Sequence, residues 1–352
     1  MLKPHKLAPG DRLAAVSLSW GGPGTFPHRY EAGKRQLEEA FGVELVAMPH
    51  ALKAPDWLAA HPESRAEDLM AAFSNPAIQG IVSTIGGEDS IRILPYLDLD
   101  VIRAHPKVFL GYSDTTVAHF ACLKAGVVSF YGPSVMAGFG ENGGMFPYMV
   151  ESVRRTLFST EPIGALEPNR DGWTVEYLDW SIPGNQERRR TLNPSEPWRF
   201  LQGEGTAEGQ LVGGCLEVVE FLRGTPIWPD GEVWDGAILF LETSEDAPSA
   251  AVLRYALRTW AAMGILRRLS GILFGRPGGP VPPEDFGKYE DALLQVVATE
   301  EGLTRLPIVT RMDFGHTDPM FVLPYGVRAR IDCEGQRFSI VESAVADPGG
   351  PT

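Results

Sequence analysis

Ser113 stands in Gly111-Tyr112-Ser113-Asp114, where the apolar run Lys107 to Gly111 gives way to the helix-like segment Thr115 to Ala125. A serine on a tight strand-to-helix turn projects its hydroxyl above the sheet edge, beside unpaired backbone N–H groups and the positive end of the helix dipole. That placement suits a nucleophile elbow, although Asp114 and Thr115 follow where G-x-S-x-G would have its second glycine. It equally suits a plain helix cap, with Ser113 or Asp114 bonding the first-turn N–H groups. Glu242 closes the strand-like run Gly236 to Glu242, where a half-desolvated carboxylate on a rigid element can orient a base. Glu245 and Asp246 compete for that role, and a solvated loop acid is the plainer alternative. His316 lies in Asp313-Phe314-Gly315-His316-Thr317-Asp318-Pro319, just after the strand-like Ile308 to Met312, and no other histidine follows a strand end beside a glycine. Serine, glutamate, histidine is one of the chain orders in which hydrolase triads occur.

A second glycine-rich turn, Gly86-Gly87-Glu88-Asp89-Ser90, follows the apolar Ile81 to Ile85. Paired glycines let the backbone approach a ligand closely, and an amide near Gly87 with that of Asp114 would make a two-donor oxyanion hole. Alone, the pair equally describes a tight turn with positive φ. Further on, Trp173, Tyr177, Trp180 and Trp198 punctuate a polar stretch that also holds Arg188, Arg189, Arg190 and Asn193. Such aromatics can stack on a planar base while arginines meet phosphate, or each tryptophan can simply anchor the loop.

These residues need elements to hold them. Over residues 1–160 strand-like runs (Leu13 to Ser19, Val43 to Met48, Gly80 to Thr84, Lys107 to Gly111) alternate with helix-like segments (Pro27 to Phe41, Ser64 to Phe73, Thr115 to Ala125). That alternation predicts an α/β domain with a parallel sheet covered on both faces and ligands outside the carboxyl ends of the strands. Residues 161–205 show no sustained period and are expected to be a long functional connection. Residues 206–346 are expected to form a second, α+β domain, with helices at Ala250 to Met263 and Tyr289 to Thr299. A hairpin of Val327 to Asp332 with Arg337 to Glu342 would close it. The tail, 347–352, is expected to be disordered.

Bulk properties narrow the choices. A net charge of −14 disfavours polymeric nucleic acid, which needs a basic stripe, but leaves room for a small nucleotide. Three scattered cysteines give neither a disulfide framework nor a zinc site, and no long apolar run predicts a membrane span. A cytoplasmic protein with no metal or organic cofactor is expected. A proline inside Trp20-Gly21-Gly22-Pro23-Gly24 argues against a dinucleotide-binding turn, and with it against an oxidoreductase.

Taken together, Gly86-Gly87 with Asp89-Ser90, Ile93 to Asp98, Gly111 to Asp114, Gly213-Gly214, Leu241 to Glu245 and Gly315-His316 resemble the LD-carboxypeptidase family of serine peptidases. Glu88 where the murein branch has tyrosine, and the tryptophan-bearing connection, are more similar to the microcin C immunity (MccF-like) branch. The resemblance implies a Rossmann-like first domain, a β-rich second domain and a homodimer. It assigns Ser113 as nucleophile, His316 as general base and Glu242 as its orienting acid. It implies cleavage of the amide-type bond joining an aminoacyl or peptidyl group to an adenylate, with Gly86, Asp89, Ser90, Trp173, Trp180, Trp198 and Cys215 around the substrate. Cys215 stands where this group often has asparagine, which bears on specificity. The rival readings are a murein tetrapeptide carboxypeptidase and a nucleotide-binding module without turnover.

Overall fold

The computed structural model describes residues 1–349. Two sheets carry the molecule. The first has six strands in the order Leu323–Pro324, Phe130–Tyr131, Val108–Gly111, Gly80–Ser83, Arg12–Val16 and Glu44–Ala47. Every pairing is parallel except that of Leu323–Pro324 with Phe130–Tyr131. Its central strands are buried along their whole length, as a parallel sheet covered on both faces requires. The helix Pro27–Phe41 begins on a proline, whose missing N–H has no partner to lose there, and ends at Gly42 in the left-handed region.

The second sheet has eight strands, ordered Gly164–Leu166, Arg337–Ile340, Arg328–Asp332, Thr206–Cys215, Ile238–Glu242, Gly271–Gly275, Ile308–Met312 and Arg199–Gln202. Its middle four strands run parallel and its flanks antiparallel. The expected terminal hairpin is present, with Asp332 opposite Arg337. The fold is thus α/β, a parallel-sheet half joined to a β-rich half. The stretch 161–205 is more structured than its lack of period implied, because it supplies both edge strands of the second sheet. Those edges are three and four residues long, too short to show a period. The helix foreseen at Tyr289 to Thr299 starts earlier, at Phe286, and passes into a π turn over Gln295–Glu300.

One continuous apolar core joins the halves, running from the first-sheet residues Val82, Phe109 and Tyr131 through Tyr325 to Phe240 and Phe274 of the second. Carboxyl ends of strands from both sheets therefore open onto a common cleft of about 860 Å³, lined by Gly87 and Ser113 from one side and Cys215 and His316 from the other. Of the tail, Gly350 to Thr352 lie outside the described residues, whereas Asp347 sits 2.8 Å from Lys6 Nζ. Among the described residues no helix is long and apolar enough to cross a membrane.

Candidate active site

Ser113 begins the turn after Val108–Gly111 and adopts φ of 63°. A non-glycine residue in this region is strained by roughly 1–3 kcal/mol and persists only where its surroundings hold it. Here they do. The Thr115 and Thr116 hydroxyls donate to the carbonyls of Tyr112 and Ser113, each at 2.7 Å. His119 fixes the carbonyl of Gly111 at 2.9 Å from Nε2, while its Nδ1 lies 2.9 Å from the Ser129 hydroxyl. Burial pushes the His119 pKa down to about 3, so the ring is neutral. A carbonyl can only accept, so Nε2 carries the proton and Nδ1 accepts from Ser129. Gly86 abuts the serine: a Cβ there would stand 2.9 Å from both Cβ and Oγ of Ser113. That close approach requires glycine.

Glu242 is fully buried at the end of Ile238–Glu242. Its Oε2 accepts from His316 Nδ1 at 2.6 Å and from the His316 backbone N–H at 3.3 Å. Its Oε1 accepts a short hydrogen bond from the Tyr131 hydroxyl. Gly315, at φ of 93°, passes so near that a Cβ would lie 2.6 Å from Glu242 Oε2. Only glycine lets the histidine loop close onto this acid. The far nitrogen of the ring, Nε2, lies 3.1 Å from Glu245 Oε2. Burial pulls the His316 pKa down, but Glu242 and then Glu245 outweigh it, and the pKa stands well above the usual histidine range. The Tyr112 ring packs against the imidazole at 4.9 Å between centroids.

Beside the Ser113 turn, neither the Gly87 nor the Asp114 backbone N–H donates a hydrogen bond among the described residues. The Ser113 N–H, by contrast, is taken by the Tyr131 oxygen at 3.1 Å. Ser90 is buried, with its hydroxyl donating to the Asp114 carbonyl at 2.7 Å and its N–H to the Asp114 carboxylate at 2.8 Å. Asp89 lines the cleft but is held by buried Arg65 at 2.6 Å and by Arg92 at 3.1 Å.

The tryptophans separate. Trp180 lines the cleft, with the Arg29 guanidinium 4.6 Å from its ring centre and Phe26 edge-on. Trp173 is buried between Arg276 and Phe286, and Trp198 is buried with Nε1 2.7 Å from Asp313. Cys215 faces the cleft near His316, its thiol kept protonated by burial and by the nearby carboxylates of Glu242 and Glu217. Cys215, Glu242 and His316 place donor atoms within 4.8 Å of one another, which are zinc-type ligands. Both Glu242 oxygens are already hydrogen-bonded, to Tyr131 and to His316, and the Cys215 thiol donates to Glu217 at 3.6 Å.

Tyr131 escaped the sequence reading, and Arg190 entered it only as a partner for phosphate. Tyr131 ends a strand just before Gly132-Pro133, but a two-residue strand leaves little pattern. Arg190 lies in the arginine run, yet its guanidinium is held inside the protein by Glu141 and Asp318.

A sheet-end serine, a buried carboxylate–imidazole pair and unengaged amides in one cleft define a hydrolase of the serine peptidase class. The LD-carboxypeptidase N-terminal domain model matches residues 13–132, and the LD-carboxypeptidase C-terminal domain model matches residues 208–331. The chain therefore belongs to the LD-carboxypeptidase family. It is 29% identical over 346 residues to the microcin C7 self-immunity protein MccF of Escherichia coli, covering 96% of this chain and 94% of that one. Among solved structures, an MccF-like protein from Streptococcus pneumoniae in complex with AMP superposes with a TM-score of 0.85. The two are 32% identical, covering 95% of this chain and 99% of that one. MccF in complex with aspartyl sulfamoyl adenosine superposes at 0.80, 27% identical, covering 98% of this chain and the whole of the other.

Proposed function

We propose that this protein is a serine hydrolase that cleaves the amide-type bond between an aminoacyl or peptidyl group and an adenylate, using Ser113, His316 and Glu242. The observation that carries the reading is the 2.6 Å bond from His316 Nδ1 to buried Glu242, made across the cleft from a serine held at φ of 63°. The ligands bound by the related proteins, AMP and aspartyl sulfamoyl adenosine, support a nucleotide-linked substrate.

In this mechanism the substrate's arrival draws His316 Nε2 from Glu245 toward Ser113. In the neutral form, reached once Nε2 has given its proton to solvent, His316 then accepts the serine proton as Oγ attacks the acyl carbon. Amides at Gly87 and Asp114 meet the developing oxyanion, a contribution of about 3–4 kcal/mol per donor in comparable sites. Glu242 stabilises the imidazolium, which next protonates the leaving nitrogen. Water, activated by the same histidine, releases the acyl group from Ser113. Trp180 offers the adenine a stacking face, worth about 1–3 kcal/mol.

The test is mass spectrometry of a panel of aminoacyl sulfamoyl adenosines, and of a murein tetrapeptide, after incubation with wild type and Ser113→Ala. Cleavage of sulfamoyl adenosines by wild type alone supports the reading. Equal cleavage by both proteins would remove Ser113 from the mechanism. Release of D-alanine from the tetrapeptide with no attack on any adenosine would replace the substrate class.

A further inference from the structure

Tyr131 is used by no step of that mechanism, yet its hydroxyl touches both halves of the site. Its oxygen accepts the N–H of Ser113 at 3.1 Å from the first sheet and donates to Glu242 Oε1 of the second. The residue is 1% exposed and paired in register with Gly111, the glycine that starts the nucleophile turn. Its ring is packed by Tyr112, His119, Phe240 and Tyr325 at centroid distances of 5.6 to 6.4 Å. A hydroxyl on so fixed a ring has little freedom, and a phenol has one proton to give. Glu242 takes it, so the lone pairs are what Ser113 N–H meets.

We propose that Tyr131 is a positioning residue that locks the nucleophile turn to the acid of the triad, setting the Ser113 backbone and the charge of Glu242 together. The inference rests on the proposed hydrolase reading. It has two consequences. First, with its N–H occupied, Ser113 does not contribute its own amide to the oxyanion, which leaves that work to Gly87 and Asp114. Second, the Tyr131 proton tempers the negative charge that Glu242 presents to His316. Removing that donor leaves Glu242 Oε1 without its hydrogen bond and its charge directed more fully at His316, so the imidazolium is held more strongly and the base turns on only at higher pH. Burial first, and Glu242 next, hold the phenol itself far above its ordinary pKa, so it stays a donor throughout.

The other ionisable groups facing this pair are Glu245 on the ring's far nitrogen, Tyr112 against its face, and Cys215 and Tyr325 near Glu242. Asp318 lies two residues beyond, close enough to act on Tyr112. None of them bonds both Ser113 and Glu242.

The test compares wild type, Tyr131→Phe, Glu242→Gln and the double variant on a cleaved sulfamoyl adenosine, with Ser113→Ala as control. Tyr131→Phe is expected to lower kcat by about ten- to hundredfold with KM within about twofold, and to move the acid limb of kcat/KM to higher pH. Its effect should shrink in the Glu242→Gln background, since the two act through one bond. Replacement of Tyr131 by a ring-fluorinated tyrosine keeps the shape and strengthens the donor, so it should move the limb to lower pH even if the phenylalanine variant folds poorly. A Tyr131→Phe enzyme with a lowered melting temperature but unchanged kcat and pH limb overturns the proposal, as does additivity with Glu242→Gln. Should Ser113→Ala cleave like wild type, the hydrolase reading itself fails, an outcome distinct from either.

Discussion

His316 Nε2, the nitrogen that would receive the proton of Ser113, lies 3.1 Å from Glu245 Oε2. The histidine thus bridges two carboxylates, Glu242 behind and Glu245 in front, and their pull outweighs burial to hold its pKa well above the ordinary range. A general base works only when neutral, so kcat/KM should rise as pH climbs through that raised value. Glu245→Gln removes one of the two charges. Its acid limb is expected at lower pH than in wild type, with more activity near neutrality. Because the Glu245 side chain is 73% exposed, the displacement should diminish as salt is added. Profiles at low and high ionic strength measure both effects, and coincident profiles would show that the contact does not govern the base.

Ser113 leads to a stability prediction that runs against activity. At φ of 63° a serine is strained, an alanine equally so, and a glycine is not. Ser113→Gly and Ser113→Ala should both abolish hydrolysis, yet the glycine variant should be the more stable by roughly 1 kcal/mol. Denaturant melts of the two variants check this. An alanine variant as stable as the glycine one would mean that the turn relaxes when the hydroxyl is gone.

Arg190 offers a test of the cleft wall. Its guanidinium meets Glu141 and Asp318, with Glu141 at 1% and Asp318 at 17% side-chain exposure. Arg190→Met leaves the Glu141 carboxylate buried without its cation, which should lower stability by about 3–5 kcal/mol near neutral pH. In the variant, Glu141 would have a folded pKa above its unfolded one. The loss should therefore be complete above the folded value and fade as pH falls toward the unfolded one. Melting curves across the acid range would reveal it, and a loss independent of pH would point to packing instead.

How much of this was written in the sequence depends on range. The helix Pro27–Phe41 is legible end to end because its proline start, its amphipathic body and Gly42 all act within a few residues. The strand leading into Ser113 is legible because a buried parallel strand is a near-continuous apolar run. Leu323–Pro324, which closes the first sheet from late in the chain, is two residues long and carries no periodic signal. Tyr131 is harder still. Its role arises from the meeting of two sheets, with Ser113 18 and Glu242 111 residues away in sequence, and no spacing rule reaches that far. The four aromatics of the 170–200 stretch read alike in sequence. Only tertiary packing sorts Trp180 and the exposed Tyr177 toward the cleft and Trp173 and Trp198 into the core.

That sorting separates nucleotide affinity from stability. Trp180 lines the cleft with Arg29 near its ring, whereas Trp198 spends its Nε1 proton on buried Asp313, which also receives Arg276 and the Asn169 N–H. Trp180→Ala should weaken AMP binding by about 1–3 kcal/mol and barely alter the melting temperature. Trp198→Phe should do the reverse. It strips one charge-assisted bond from Asp313, lowering stability by about 1.5–3 kcal/mol, and leaves nucleotide affinity as it was. Calorimetric titration with AMP and thermal melts of the two variants give four measurements. A crossed pattern, with Trp198→Phe losing affinity and Trp180→Ala losing stability, would mean that the stacking face lies elsewhere than the cleft described.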